Sequence, residues 1–280
     1  MGLSLRRKKS DGTAELRAVL GQFEVQTFPA AVVKTLEVLR ASDSSSADVA
    51  AAMSIDPGLT VRLLKLVNSA AFSLSREVTS VDQAVALAGF GPVESMVLSV
   101  GVSSAIPDAP SEEFDTRRFW WAASRRAVVA RAFAMELHPA TASLSFTAGL
   151  LQDMAVPMLA AARPDYGPVL AEWRNSGEDL HAIEQQAFGW DHCQVAEWLC
   201  AQWALPIPLS AAISGHHTVG DEETPPAVQL AAPFREGEDP DVLERVITRA
   251  CEEFGLDPDH VVNLLLEAEA EAGGVAAMFI

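Results

Sequence analysis

An all-α fold is what this sequence predicts, and three observations predict it. Apolar residues recur at i, i+3 and i+4 along nearly the whole chain, the spacing that lines one face of a helix. The alternation of apolar and polar residues that marks a half-buried strand is absent. Helix-start chemistry recurs: a Ser or Asp, followed by proline or by Gln three residues on, opens segment after segment. With 280 residues, 49% of them hydrophobic, the chain is long enough to bury a sizeable core.

The elements follow in order. Residues 1–13 are polar and predict a flexible tail. "ELRAVLGQF" is a short first helix, and in "FPAAVVKTLEVLRA" Pro29 suits a first helical turn. Ser45 or Ser46 can cap the alanine-rich helix in "DSSSADVAAAMSI". "DPGLTVRLLKLVNSAAF" supplies Asp56 as N-cap and Pro57 at the first helical position. In "SVDQAVALAGFG" Ser80 and Gln83 make a capping box, Gly89 or Gly91 ends the helix, and the apolar "PVESMVLSVGVSSAI" follows. These helices predict a compact N-terminal lobe over residues 14–106.

After "PDAPSEEF", the long amphipathic "DTRRFWWAASRRAVVARAFAMEL" opens a second lobe over 112–235, with helices near 141–160, 165–175, 179–188, 191–203, 206–216 and 225–234. Residues 236–280 predict an acidic C-terminal extension with helices near 239–254 and 257–271. Within 141–160, "FTAGLLQDMAVPML" sets Gln152 and Asp153 side by side in an apolar helix. A carboxylate there is costly unless something pairs with it.

Charge is lopsided. Residues 1–140 carry 15 basic and 15 acidic side chains, and 141–280 carry 5 and 23, so the second half holds the whole net charge of −18. An acidic chain repels phosphate backbones, which disfavours nucleic acid; a protein partner with a basic patch fits better, and solubility alone accounts for the charge ahead of either. Helices at 46–72 resemble a helix-turn-helix loosely, but only Arg62 and Lys65 decorate the would-be recognition helix. No run of about 18 apolar residues predicts a membrane span. "MGLSLRRKKSDG" has no apolar stretch behind its basic residues, and its weak likeness to a myristoylation start is discounted. The expectation is a cytoplasmic protein with no membrane contact.

Candidate polar sites are few. Cys193, Cys200 and Cys251 read as reduced, mostly buried small hydrophobes. The six tryptophans (Trp120, Trp121, Trp173, Trp190, Trp198 and Trp203) read as core or lobe-interface packing. His138, His181 and His260 stand alone near helix ends or on polar faces. His192 in "GWDHCQVAEWL" and His216-His217 in "AAISGHH" lie about one helical hairpin apart. With Asp153 they could form an oxygen-and-nitrogen metal site; the competing reading makes the histidines caps or core hydrogen-bonders, with the Asp tied to one of them.

"FPAAVVKTLEVL", then "SIDPGLTVRLLKLVNSAAFSLSREVTSVDQAVALAGFGPVESMVLS", resembles the first half of an HD-related output domain (HDOD). Asp56, Pro57, Arg62, Asn68 and Ser69 fall in its most specific block, and the "NSA" segment reads as packing the two lobes together. "FWWAAS", "FTAGLLQDMA", "FGWDHCQVAEWL" and "PIPLSAAISGHH" continue in the same order, so the likeness covers roughly residues 22–235. It implies a multi-helical two-lobe HDOD-like domain with extra C-terminal helices. It also implies descent from HD-type phosphohydrolases, which hold a divalent metal through a first His, an adjacent His-Asp pair and a distant Asp. Here those positions are Ala123, Gln152 with Asp153 retained, and Ala232, so three of four ligands are replaced.

The resemblance therefore implies no cofactor and no catalytic metal. Gln152, Asp153, His192, His216 and His217 would survive as a relict polar cluster, with Asp153 paired to a neighbour such as His192 or His217. The implied function is a non-catalytic signalling module that recognises a protein or small signal, alongside cyclic-dinucleotide or two-component proteins. The alternative is a metal-dependent phosphohydrolase acting on a nucleotide or cyclic dinucleotide, with Asp153 and the histidines regrouped around one ion. The acidic end, 15 acids against 3 bases over 221–280, reads as a capping pair of helices or a partner-binding appendage.

Overall fold

In a computed structural model of the chain, the described residues are 12–21, 25–69, 76–107, 114–218, 220–235 and 240–280. Most of the expected tail, most of the break at "PDAPSEEF" and the start of the C-terminal extension lie outside them. Among the described residues the elements are sixteen α-helices and two short 3-10 turns, with no β-strand.

The N-terminal lobe holds α1 (Gly12–Leu20), α2 (Ala30–Arg40), α3 (Ser46–Met53), α4 (Pro57–Val67), α5 (Val81–Ala88) and α6 (Phe90–Ala105). Local chemistry sets their starts. Ser45 caps α3 in a reciprocal box with Asp48. The Asp56 side chain accepts from the Gly58 and Leu59 N–H groups at the head of α4, with Pro57 next to it. Ser80 accepts from the Gln83 N–H as expected, but the Gln83 side chain reaches Thr79 rather than Ser80, so only half of the box closes.

Helix α6 is buried nearly all round and packs on α2 and α4 on one side and on the second lobe on the other. Its Gly101 is required by contact: a Cβ there would lie 2.8 Å from Val32 Cγ1.

Asn68 makes its side-chain hydrogen bonds inside the N-terminal lobe, and Ala70 of the "NSA" segment lies outside the described residues. The Asn68 side chain clamps Val78, accepting from the Val78 N–H at 2.7 Å and donating to the Val78 carbonyl at 2.7 Å. Asn68→Ala is expected to cost about 1–2 kcal/mol, two net backbone hydrogen bonds, read as a lower urea midpoint. An unchanged midpoint would refute the clamp.

The second lobe is built on the 22-residue α7 (Thr116–Leu137). Against it lie α8 (Ala142–Leu151) and α14 (Pro226–Ala231). Around these are α9 (Ala155–Ala162), α10 (Gly167–Ser176), α11 (Leu180–Phe188), α12 (His192–Gln202) and α13 (Ile207–Ser214). The C-terminal pair is α15 (Pro240–Phe254) and α16 (Pro258–Ala276). Helix α16 lies along α7 and buries Val261, Leu264, Leu265, Ala268, Ala272 and Val275 in the same core as both lobes.

The single helix expected over 141–160 is two helices. The chain turns at 152–154, between α8 and α9. Pro157 is the physical reason: lacking an N–H, it cannot bond the Asp153 carbonyl four residues earlier, and that carbonyl takes the Val156 N–H at 2.9 Å instead. The turn lifts the Asp153 carboxyl out of helix packing and toward α7, α12 and α13. By length and composition the stretch Pro139–Ala162 would pass for a membrane span, but 78% of its apolar window is buried inside the protein, and this turn interrupts it.

Gly149 lets α8 meet α7 closely, since a Cβ there would sit 2.7 Å from the Arg126 carbonyl oxygen. Of the tryptophans, Trp190 and Trp120 are buried. Trp203 joins the lobes, donating to the Gln26 carbonyl at 2.9 Å and packing on Phe28. Trp121 departs from the expectation of burial: it is 43% exposed and lies over Gly273 of α16.

Candidate functional site

The site forms where the 152–154 turn faces the N-terminus of α12 and the C-terminus of α13. Asp191 caps α12 in a reciprocal box with Gln194, which fixes His192 as the first helical residue, pointing inward. His216 and His217 follow the end of α13, where the His216 Nδ1–H donates to the Ile213 carbonyl at 2.6 Å. His192 and His216 are almost wholly buried.

Three atoms converge. Asp153 Oδ1 lies 3.4 Å from His192 Nε2 and 3.3 Å from His216 Nε2, and the two nitrogens are 3.4 Å apart. The other carboxylate oxygen, Oδ2, meets the Arg126 guanidinium at 2.9 Å. Asp153 thus faces His192 and His216 rather than His217, and its shortest contact is to Arg126, which no motif in the sequence marks.

Arg126 sits one helical turn beyond Ala123 on α7, and its second arm donates to the Phe234 carbonyl at 2.8 Å, two residues past Ala232. A permanent cation thus stands one turn from Ala123 and bonds two residues past Ala232, the positions the resemblance implies for lost ligands. Gln152 is fully buried, and neither atom of its amide has a hydrogen-bond partner among the described residues. It is therefore no part of the hydrogen-bonded cluster. Ala123 and Ala232 offer no donor atom, and the amide of Gln152 is a poor substitute for an imidazole. The residues present do not fit the metal centre of an HD-type phosphohydrolase.

Glu184 and Tyr166 complete the site and were also missed. The buried Glu184 carboxylate accepts from the His192 backbone N–H at 2.9 Å, from His192 Nδ1–H at 2.6 Å and from the Tyr166 hydroxyl. Helical periodicity carried a signal for two of the three. Arg126 and Glu184 occupy positions on the apolar stripes of their helices, Phe119–Ala123–Arg126–Ala130 and Leu180–Glu184–Phe188. Charged residues at such positions need a partner.

Electrostatics follow from this geometry. Burial works to raise the Asp153 carboxyl, but Arg126 and the two imidazoles override it and hold it well below the usual carboxylate range. Burial depresses His192, yet Glu184 outweighs it and the imidazole is pushed well up. His216 is likewise lowered by burial and raised by Cys193 and Asp153, reaching about 9. Burial and the facing imidazoles drive His217 far down, so it is neutral. His217 stacks on His181, 4.2 Å between ring centres, so His181 is not an isolated surface histidine.

Cys193 is a free, buried cysteine whose sulfur lies 3.9 Å from His216 Nδ1. Burial raises its thiol, but His192 and His216 pull it down to about 7, whereas burial pushes Cys200 up to about 11. Ligand atoms of His192, Cys193, His216 and His217 lie within 4.8 Å of one another. Cys193 and His217 line a surface cleft with His181, Asp191 and Asp221.

Two helical lobes joined through α6, with an Asp-His-His centre at a helix junction, define an all-α protein of the HD-related class. The HDOD domain profile matches residues 25–219, and the chain belongs to the HDOD family. Among solved structures it is similar to a Shewanella amazonensis SB2B protein whose provisional name is phosphohydrolase, with a TM-score of 0.73 and 22% identity over 95% of this chain and 98% of that one. It is similar to an HDOD domain protein of unknown function from Geobacter sulfurreducens, with a TM-score of 0.71 and 21% identity over 95% and 98%. A Marinobacter aquaeolei VT8 protein provisionally named for signal transduction gives 0.68 and 18% over 99% and 67%. An uncharacterised protein of Treponema pallidum is 26% identical over 231 residues, 79% of this chain. The chain spans 44% of that relative's length.

Proposed function

We propose that this protein is a non-catalytic regulatory module that acts in signal transduction by recognising another protein or a small signal. The observation that carries this reading is the Arg126–Asp153 ion pair, set among Ala123, Gln152 and Ala232. HD-type hydrolysis needs a divalent ion at that carboxylate to activate water. Here a guanidinium claims one of its oxygens.

Membership of the HDOD family supports a regulatory setting, with cyclic-dinucleotide or two-component proteins as the partner class. The acidic second half supports a partner with a basic surface. The phosphohydrolase reading keeps one observation in its favour, the convergence of Asp153, His192 and His216.

A hydrolysis assay decides between them. The purified chain is incubated with Mn2+, Fe2+ or Mg2+ and a cyclic dinucleotide, a nucleoside triphosphate or an aryl phosphate diester. No turnover above buffer is expected with any of them. Turnover abolished by Asp153→Ala would overturn the reading.

A further inference from the structure

Helix α16 buries one face against α7, yet much of its solvent face is apolar as well. Val262, Leu266, Ala270 and Gly274 are exposed and stand four residues apart, so they form one continuous ridge along the helix. At 1.5 Å of rise per residue the ridge is about 18 Å long. Leu266 is 64% exposed, which leaves most of its apolar surface in water. Trp121 of α7 widens the surface, since it is exposed too and its ring lies 3.4 Å from where a Gly273 Cβ would stand. Scattered apolar residues are ordinary on a protein surface, whereas a contiguous ridge edged by polar groups marks an interaction site.

The edge of the ridge is acidic. Helix α16 carries Asp259, Glu267, Glu269 and Glu271 and no Lys or Arg. Arg125 of α7 takes Glu269 at 2.5 Å. Glu267 and Glu271 stand one turn apart, a like-charge pair that destabilises an isolated helix. Burial raises the Glu271 carboxyl, Arg131 draws it partly back, and Glu267 pushes it further up.

We propose that this face of α16 is where a partner protein docks a helix of its own, one whose apolar row is edged by Lys or Arg. Val262 and Leu266 enter the grooves of that helix, and Ala270 with Gly274 let its backbone come close. A Cβ at Gly274 would meet nothing within 4 Å, so the approach is open. Cations along the partner's edge answer Glu267 and Glu271 and relieve their repulsion. A second copy of this chain fits less well, because two such ridges packed antiparallel set their acidic edges together. The same carboxylates repel an anionic membrane surface. The ridge lies beyond residue 219, outside the stretch that the HDOD profile matches. The inference rests on the reading of the protein as a recognition module and gives that module a partner class.

The test uses the full chain and two labelled synthetic helices of about 18 residues, long enough to hold helical structure. They share one row of Leu and Ala; one is edged with Lys and the other with Glu. Fluorescence anisotropy should show saturable binding of the Lys-edged helix, with the Glu-edged one weaker by roughly tenfold or more. Leu266→Gln should weaken the Lys-edged helix by about tenfold or more, the worth of burying one leucine. Its urea midpoint should match wild type, because the side chain is exposed. Glu267→Lys should narrow the preference between the two helices, and Glu222→Lys, at an exposed acid before α14, should leave it as it is. Equal binding of the two helices, a Leu266→Gln protein that binds as wild type does, or equal effects of Glu222→Lys and Glu267→Lys would overturn the proposal. So would a wild-type dimer in sedimentation that Leu266→Gln makes monomeric, since a second copy would then hold the face. Hydrolytic turnover counts against the regulatory reading, and failure of the Lys-edged helix counts against this inference alone.

Discussion

Arg126→Met is expected to destabilise the protein by about 3–5 kcal/mol, the range for removing one partner of a buried ion pair. Methionine nearly preserves the length and apolar body of the side chain, so little of the loss is cavity. What remains is a carboxylate with only 20% of its side chain exposed, deprived of its 2.9 Å partner, and a Phe234 carbonyl that has lost its 2.8 Å donor. Asp153→Asn removes the opposite charge, and the double variant Arg126→Met/Asp153→Asn should recover part of the loss, giving a clear interaction energy in a double-mutant cycle. Additive single losses would mean the pair does not act as a pair.

Acidity supplies a second check on the same variant. The folded-state Asp153 carboxyl is held well below its ordinary 3.8. Its contribution to stability is thus complete above that pH and lost as pH falls toward the folded-state value. Arg126→Met should therefore differ most from wild type at neutral pH, with the gap narrowing in acid. A gap that stays constant with pH would show that the guanidinium does not act on an ionised carboxylate.

Local chemistry made the helices legible. Asp56 with Pro57, Ser45 and the "WDH" start at Asp191 each satisfy backbone donors within three residues, so a reader of sequence can place them. The turn at 152–154 was legible in principle from Pro157, but the apolar run on both sides masked it. The pairings that build the site join residues distant in sequence, Arg126 to Asp153 and to the Phe234 carbonyl after α14, and periodicity says nothing about which buried charge meets which. The Gln152-Asp153 dipeptide divides its roles for the same reason: one helical step separates a carboxylate aimed at three partners from an amide aimed at none. His192 and His216 could be nominated because both bound a single hairpin, while Glu184 was hidden as one more acid in an acidic half.

Glu184→Ala is expected to match the arginine variant in cost, about 3–5 kcal/mol, because it orphans three buried donors at once. The Tyr166 hydroxyl, the His192 backbone N–H and His192 Nδ1–H all end on this one carboxylate. Glu184→Gln behaves differently. Its amide oxygen can still accept both His192 donors, and the Tyr166 hydroxyl can rotate to accept from the amide NH2, so the expected loss is only about 1–2 kcal/mol, the net worth of exchanging a charged acceptor for a neutral one. Urea denaturation of the two variants beside wild type measures both losses. A Glu184→Ala protein as stable as wild type would mean that His192 is held by something other than this carboxylate.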